Sequence, residues 1–135
     1  MIGASIRDVR LVEPVSWWFR FVDGGSIRAE TVWRLVVQGG VRTTSQDHGQ
    51  RFGRSTPVDS AEAATAALSK SLVRRTSITN DTGDLVLEFE NGFRLEILTT
   101  SSGYESWSVS SPTGEETLAL GGGQIRVRKN GELSG

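Results

Sequence analysis

Trp17-Trp18-Phe19-Arg20-Phe21-Val22-Asp23-Gly24 and, 68 positions later, Leu85-Val86-Leu87-Glu88-Phe89-Glu90-Asn91-Gly92 share one alternation and end on the same glycine. Trp17, Phe19 and Phe21 match Leu85, Leu87 and Phe89, which is the period-two signature of strands with one buried face. Ile27 and Ala29 fall on Leu95 and Ile97 under the same shift. Past a small insertion the shift becomes 74, laying Trp33 on Trp107, Leu35 on Val109, Gly40 on Gly114 and Thr43 on Thr117. The chain therefore reads as a duplicated unit: repeat 1 over about residues 4–53, a helix over about 59–72 as the joint, and repeat 2 over about 73–129. The expected fold class is α+β, mainly antiparallel β: two duplicated β-meander repeats of about four strands each, joined by one α-helix, in a single domain over 1–135.

Turn chemistry sets the register. If Glu90-Asn91-Gly92 is a three-residue loop with a left-handed glycine, Phe89 opposes Phe93, Leu87 opposes Leu95, and Glu88 meets Arg94 on the other face. A two-residue Asn-Gly loop would set Phe89 against Arg94 and split the apolar face, so the longer loop is preferred. The same arithmetic at Val22-Asp23-Gly24 pairs Phe19 with Ile27 and Trp17 with Ala29, and puts Trp18 opposite Arg28 as a cation-π pair. At Gln38-Gly39-Gly40 and Pro112-Thr113-Gly114 it pairs Leu35 with Thr43 and Val109 with Thr117. Gln124 to Lys129 add a last alternating strand before a Gly/Ser tail expected to fray.

The joint has a helix start: Asp59 as cap, Glu62 three residues on, and Pro57-Val58 before them. Ala61, Ala64, Leu68 and Leu72 form a thin apolar stripe, with Ser60, Thr65, Ser69 and Lys70 expected to face water.

With 135 residues, no cysteine and one histidine, the chain holds one core and excludes disulfide, thiolate, iron-sulfur and common zinc chemistry. Its formal charge of −1 hides an uneven distribution: +3 over residues 1–57 and −4 over 83–135. Outward positions diverge between the repeats, Arg20 against Glu88 and Arg28 against Glu96, which predicts two surfaces of opposite sign. Without a signal-like or long apolar segment, the expected location is cytoplasmic, with no membrane contact.

Two stretches carry chemistry-bearing residues. The first is Ser45-Gln46-Asp47-His48-Gly49-Gln50-Arg51-Phe52-Gly53, holding the one imidazole. A small hydrolase or ligand-binding enzyme could use it, although adjacent Asp47 and His48 point apart on extended backbone, and any of 16 serines could be called the nucleophile. The bland reading is a polar connection to the helix, with Phe52 plugging the core. The second is Ser101-Ser102-Gly103-Tyr104-Glu105-Ser106-Trp107, where Trp107 reads as core and Tyr104 and Glu105 as exposed groups. Gly121-Gly122-Gly123 precedes a strand and lacks a following Lys-Ser or Lys-Thr, so it reads as a bend rather than a phosphate loop. Arg20, Arg28 and Arg34 on one face would suit single-stranded nucleic acid, but Glu30 on that face and a pI near 5.8 disfavour it.

Trp33-Arg34-Leu35, Asp47-His48-Gly49-Gln50-Arg51-Phe52-Gly53, the Ser101–Trp107 run and Leu120-Gly121-Gly122-Gly123-Gln124 resemble the motifs of an uncharacterised family of small bacterial proteins frequent in actinobacteria. The resemblance covers about residues 30–125 and transfers no functional residue. Small proteins of this kind resemble immunity proteins of toxin systems in size and context. The expected function is a non-catalytic protein-binding module, an immunity-type inhibitor of a bacterial toxin domain, with no cofactor, no metal and no nucleic acid. Asp47, His48, Gln50, Arg51, Tyr104 and Glu105 are the expected recognition groups. Exposed strand edges leave a dimer open.

Overall fold

Alternating sequence becomes twelve strands and one helix in the computed structural model, which describes residues 1–13, 15–129 and the backbone of 132–134. In chain order these are β1 (Ile6–Glu13), β2 (Ser16–Phe21), β3 (Ser26–Ala29), β4 (Trp33–Val37), β5 (Gly40–Thr44), α1 (Ser60–Leu68), β6 (Val73–Ile78), β7 (Leu85–Phe89), β8 (Arg94–Ile97), β9 (Trp107–Ser110), β10 (Glu115–Ala119), β11 (Ile125–Lys129) and β12 (Glu132–Ser134). They form two antiparallel sheets, a larger one ordered β1-β2-β3-β9-β10-β11-β12 and a smaller one ordered β5-β4-β8-β7-β6. The inner faces share one core built on Phe19, Ile27, Trp33, Leu35, Leu87 and Leu95. Trp33 of the smaller sheet meets Trp17 and Phe19 of the larger edge-on, with ring centroids 5.2 and 5.3 Å apart, the geometry that aromatic quadrupoles favour. The tail that was expected to fray pairs through β12 with β11, while Asn130, Gly131 and Gly135 lie outside the described residues.

Hairpin registers follow the turn residues. Gly24, Gly92 and Gly114 are left-handed, and Phe19 faces Ile27, Leu87 faces Leu95, Glu88 faces Arg94 and Val109 faces Thr117. The β4–β5 hairpin differs. There Gln38 and Gly39, at φ 51° and 80°, make a two-residue turn, so Val37 meets Gly40. A register shift between Leu35 and Val36 then restores the Leu35–Thr43 pair, because only that register keeps both residues on the buried face.

Neither half of the chain is a self-contained meander. β3 pairs with β9 and β8 with β4, so the two hairpins of each half part company into different sheets. The reason lies in the links. Glu30-Thr31-Val32 has no glycine for a three-residue hairpin loop. Its backbone instead crosses between sheets, Glu30 N–H donating to Ser106 and Val32 accepting from Leu98. The exchange is reciprocal: β1-β2-β3-β9-β10 has the same order as β6-β7-β8-β4-β5. Registers agree as well. Ile27–Val109 corresponds to Leu95–Leu35, and Ala29–Trp107 to Ile97–Trp33. The irregularity between Ile6 and Asp8 recurs between Val73 and Arg75.

This exchange overturns the expectation of two oppositely charged surfaces. Arg34 and Glu96, from different halves, lie side by side and form an ion pair on the smaller sheet. Arg34 therefore does not share a face with Arg20 and Arg28, which belong to the larger sheet.

The helix runs from Ser60 to Leu68, shorter than the stretch to 72 that its spacing suggested, and Leu72 is left 40% exposed outside it. Asp59 caps it, its carboxylate accepting from the Glu62 N–H at 3.0 Å. Ser60, Ala64 and Leu68 are the buried residues, so Ser60 faces the core and not water. Its hydroxyl donates to the Thr44 carbonyl and accepts from Thr43 Oγ1, at 2.8 and 3.0 Å. Thr65 also turns inward, its hydroxyl accepting from the Val9 N–H at 2.9 Å. Thus α1 fills the gap between β1 of one sheet and β5 of the other.

Candidate functional site

The segment joining β5 to α1 is held mainly to itself. Gly49 N–H donates to Val58, Val58 N–H returns to Gln50, and both bonds are 2.8 Å. Asp47 closes the turn at its start, its carboxylate accepting from the Thr44 N–H at 3.1 Å. His48 Nδ1 accepts from the Ser60 N–H at 3.1 Å, and the ring packs edge-on against Trp17 at 5.2 Å. That bond satisfies one of the orphan donors at the helix start and puts the proton of the neutral ring on Nε2. Asp47 and His48 thus serve the helix entrance. Asp59 Oδ1 lies 4.0 Å from the same His48 nitrogen.

Gln50 and Arg51 are exposed, the Arg51 guanidinium bonding the Ser55 carbonyl of its own loop. Phe52, expected to plug the core, is 68% exposed. It sits with Gly53 at the tip of a turn, φ 49° and 79°, closed by Arg54 N–H to the Arg51 carbonyl. The two left-handed residues of that turn point Phe52 away from both sheets.

The outer faces of the sheets differ in how their charges are spent. On the smaller sheet Arg75 pairs with Glu88 at 2.7 Å, and Arg34 and Arg94 both bond Glu96. Burial pushes the Glu96 carboxyl up, but the two guanidiniums outweigh it and hold it below its ordinary value. On the larger sheet Arg20 grips Asp8 with two hydrogen bonds of 2.7 and 2.6 Å, which lower the Asp8 pKa and raise that of Arg20.

Beyond that pair the larger sheet has a groove of about 270 Å³. One cross-strand row runs Trp18, Arg28, Ser108, Leu118, and the next runs Ser26, Ser110, Glu116, Arg128. Serines on β3 and β9 keep the floor low, while long side chains on both flanks make the walls. The Arg28 guanidinium lies over the Trp18 ring, 4.3 Å from its centroid, as the hairpin register requires. Leu118 is buried although it faces outward. Glu30 and Glu105 close one end, and Arg128, 3.8 Å from Glu116, stands at the other. Among the described residues no hydrogen bond engages the hydroxyls of Ser26, Ser108 or Ser110.

Of the six expected recognition residues, Glu105 alone lines this groove; Tyr104 beside it is 81% exposed. Asp47, His48, Gln50 and Arg51 lie on the separate helix-entry loop. Trp18, Arg28, Leu118 and Arg128 were not singled out as a group. Their signal was the alternation Ser106-Trp107-Ser108-Val109-Ser110, which marks a strand with a bulky buried face and a hollow outer one.

The three glycines at 121–123 are all left-handed, with φ 99°, 62° and 88°. A Cβ on Gly123 would run into the Asp81 carbonyl, and one on Gly121 would lie 2.9 Å from the Gly103 backbone. The run is a sharp bend at which the backbone packs against neighbouring loops. Among the described residues no group of three or more metal-ligating side chains is assembled, and no helix is long and apolar enough to cross a membrane.

Neither the curated proteins nor the solved structures yield a match to this sequence. A family model does, over residues 1–129: "Family of unknown function (DUF6188)". The match spans β1 to β11, with the helix and the groove, and the chain belongs to that family.

Proposed function

We propose that this protein is a non-catalytic protein-binding module whose recognition surface is the outer groove of the larger sheet. The observation that carries this reading is the groove's stock of uncommitted groups. Trp18 and Arg28 are stacked ready for contact, the Ser26, Ser108 and Ser110 hydroxyls lack internal partners, and Glu30 and Glu105 form a charged rim. A Trp-Arg pair beside a small apolar floor is the composition of an interface hot spot. The proposed partner class is a bacterial toxin domain, which makes the module an immunity-type inhibitor working in the cytoplasm. The reading extends to origin: the shared strand order and register of the two sheets support duplication of one unit, with hairpins exchanged between copies.

The test is site-specific photo-crosslinking in the native host from position 108 in the groove and, as control, from position 86 on the other sheet's outer face. One discrete protein captured from 108 and not from 86 is expected. Its affinity for the purified module should fall at least tenfold with Trp18→Ala or Arg28→Glu. Equal capture from both faces, or binding that ignores both substitutions, would overturn the proposal.

A further inference from the structure

The reciprocal strand order makes each part of one half comparable with its counterpart in the other, and one counterpart is missing. In the first half α1 lies between β1 and β5, and beneath it Val9, Leu35 and Thr43 are buried. Their counterparts by register, between β6 and β10, are Thr76, Val109 and Thr117, and each is partly exposed. Ile78, the counterpart of Leu11, is 39% exposed. These residues, with Met1, Leu85 and Trp107, line a cavity of about 280 Å³. After β10 the chain continues into β11 of the larger sheet and, among the described residues, supplies no helix there.

We propose that this slot receives a short acidic amphipathic helix from a partner protein, seated as α1 is seated in the first half. The occupied slot specifies the occupant. Ser60 bonds Thr43 and the Thr44 carbonyl, Ala64 and Leu68 enter the core, and Thr65 accepts from the edge-strand Val9 N–H. Thr117 stands where Thr43 does, and the shared register turns the Thr76 N–H outward from β6 as it turns Val9 from β1. The matching ligand therefore carries Ser-x-x-x-Ala-Thr-x-x-Leu on one face, a helix-in-groove mode of recognition. Charge selects its other face. The β6 edge displays exposed Arg74 where β1 displays its register counterpart Arg7, and α1 carries Glu62 in its first turn and no basic residue in its last. The slot lies between the sheets, apart from the outer groove, and does not depend on the groove being a binding surface.

The probe is a helix-stabilised peptide with the sequence of residues 58–71, titrated into the ¹⁵N-labelled full-length chain. Saturable amide shifts at Thr76, Ile78, Val109 and Thr117 at sub-millimolar peptide are expected, with Ser26 and Ser110 in the groove unmoved. Val109→Arg should weaken binding at least tenfold, and Glu62→Lys in the peptide severalfold; the second change leaves the protein intact should Val109→Arg fail to fold. Trp18→Ala should leave peptide binding unchanged. No shift up to millimolar peptide would overturn the proposal. So would shifts confined to Val9 and Thr43, which would mean displacement of the protein's own helix, or laurate shifting the slot residues where the peptide does not.

Discussion

Ser60→Ala separates a core serine from a surface one. The side chain is fully buried, donates to the Thr44 carbonyl at 2.8 Å and accepts from Thr43 Oγ1 at 3.0 Å. Two hydrogen bonds contribute ~0.5–1.5 kcal/mol each, and the Thr43 hydroxyl loses its acceptor inside the core. The Thr44 carbonyl keeps the Asp47 N–H at 3.2 Å, and alanine's helix preference returns about 0.5 kcal/mol. The expected net loss is about 1–2 kcal/mol, a fall in Tm of roughly 3–8 °C for a domain of this size. Urea unfolding at pH 7, followed by circular dichroism and tryptophan fluorescence, measures it. A cycle with Thr43→Val adds the sharper readout: the double variant should lose about 1 kcal/mol less than the two single losses together, because it leaves neither hydroxyl stranded. A Ser60→Ala change within 0.5 kcal/mol of the parent, as for a solvated serine, would refute the buried assignment.

Gly123→Ala and Gly92→Ala impose the same left-handed penalty, but only Gly123 abuts backbone. Gly92→Ala should therefore cost about 1 kcal/mol in urea unfolding, while Gly123→Ala costs several or prevents folding. Asp8, Asp23 and Glu96 all ionise below their ordinary values, Asp23 chiefly through the Gly25 N–H on its carboxylate. A depressed carboxylate stabilises the fold above its unfolded pKa and ceases to as pH falls through its folded value, so stability should decline below about pH 5. Glu96→Gln should lower stability at pH 7 and flatten that acid limb in urea midpoints taken from pH 7 to 3. Trp33 and Trp107 occupy equivalent positions, yet Trp107 Nε1 donates to the Gly83 carbonyl at 2.9 Å and buried Trp33 Nε1 has no hydrogen-bond partner among the described residues. Trp107→Phe should thus cost about 1 kcal/mol more than Trp33→Phe in the same assay.

What was legible in the sequence was local. Gly24, Gly92 and Gly114 each dictate a turn, and a turn dictates the register of the two strands it joins, so Trp18 could be set opposite Arg28 from the sequence alone. Which hairpin lies beside which is decided by burial of Trp33, Trp107 and Leu35 across the sandwich, and strand periodicity is blind to it. The absence of a turn residue in Glu30-Thr31-Val32 was the one local sign that β3 and β4 would separate. For the candidate site, the sole histidine drew attention for its chemistry, although its Nδ1 is engaged at a helix entrance. The groove went unread because a hollow is made by residues that are small, and serines on alternate positions of β9 look like ordinary strand solvation. Ser60 was misread for the same kind of reason: a hydroxyl on a helix faces water by default, and only the approach of Thr43 makes the core side better.

The exchange of hairpins also governs how the chain comes off the ribosome. β3 finds its neighbour at β9, with Ile27 waiting for Val109, and β4 finds its own at β8, with Leu35 waiting for Leu95. Until the second half is synthesised, two strands from the middle of the finished sheets are unpaired edges, each with tryptophan, leucine or isoleucine on one side. Contacts so distant in sequence slow folding and lengthen the interval in which a nascent first half can pair with the wrong chain. Release of that half by a stop codon after residue 59 should yield an insoluble fragment, and co-expression of residues 60–135 should return it to solution.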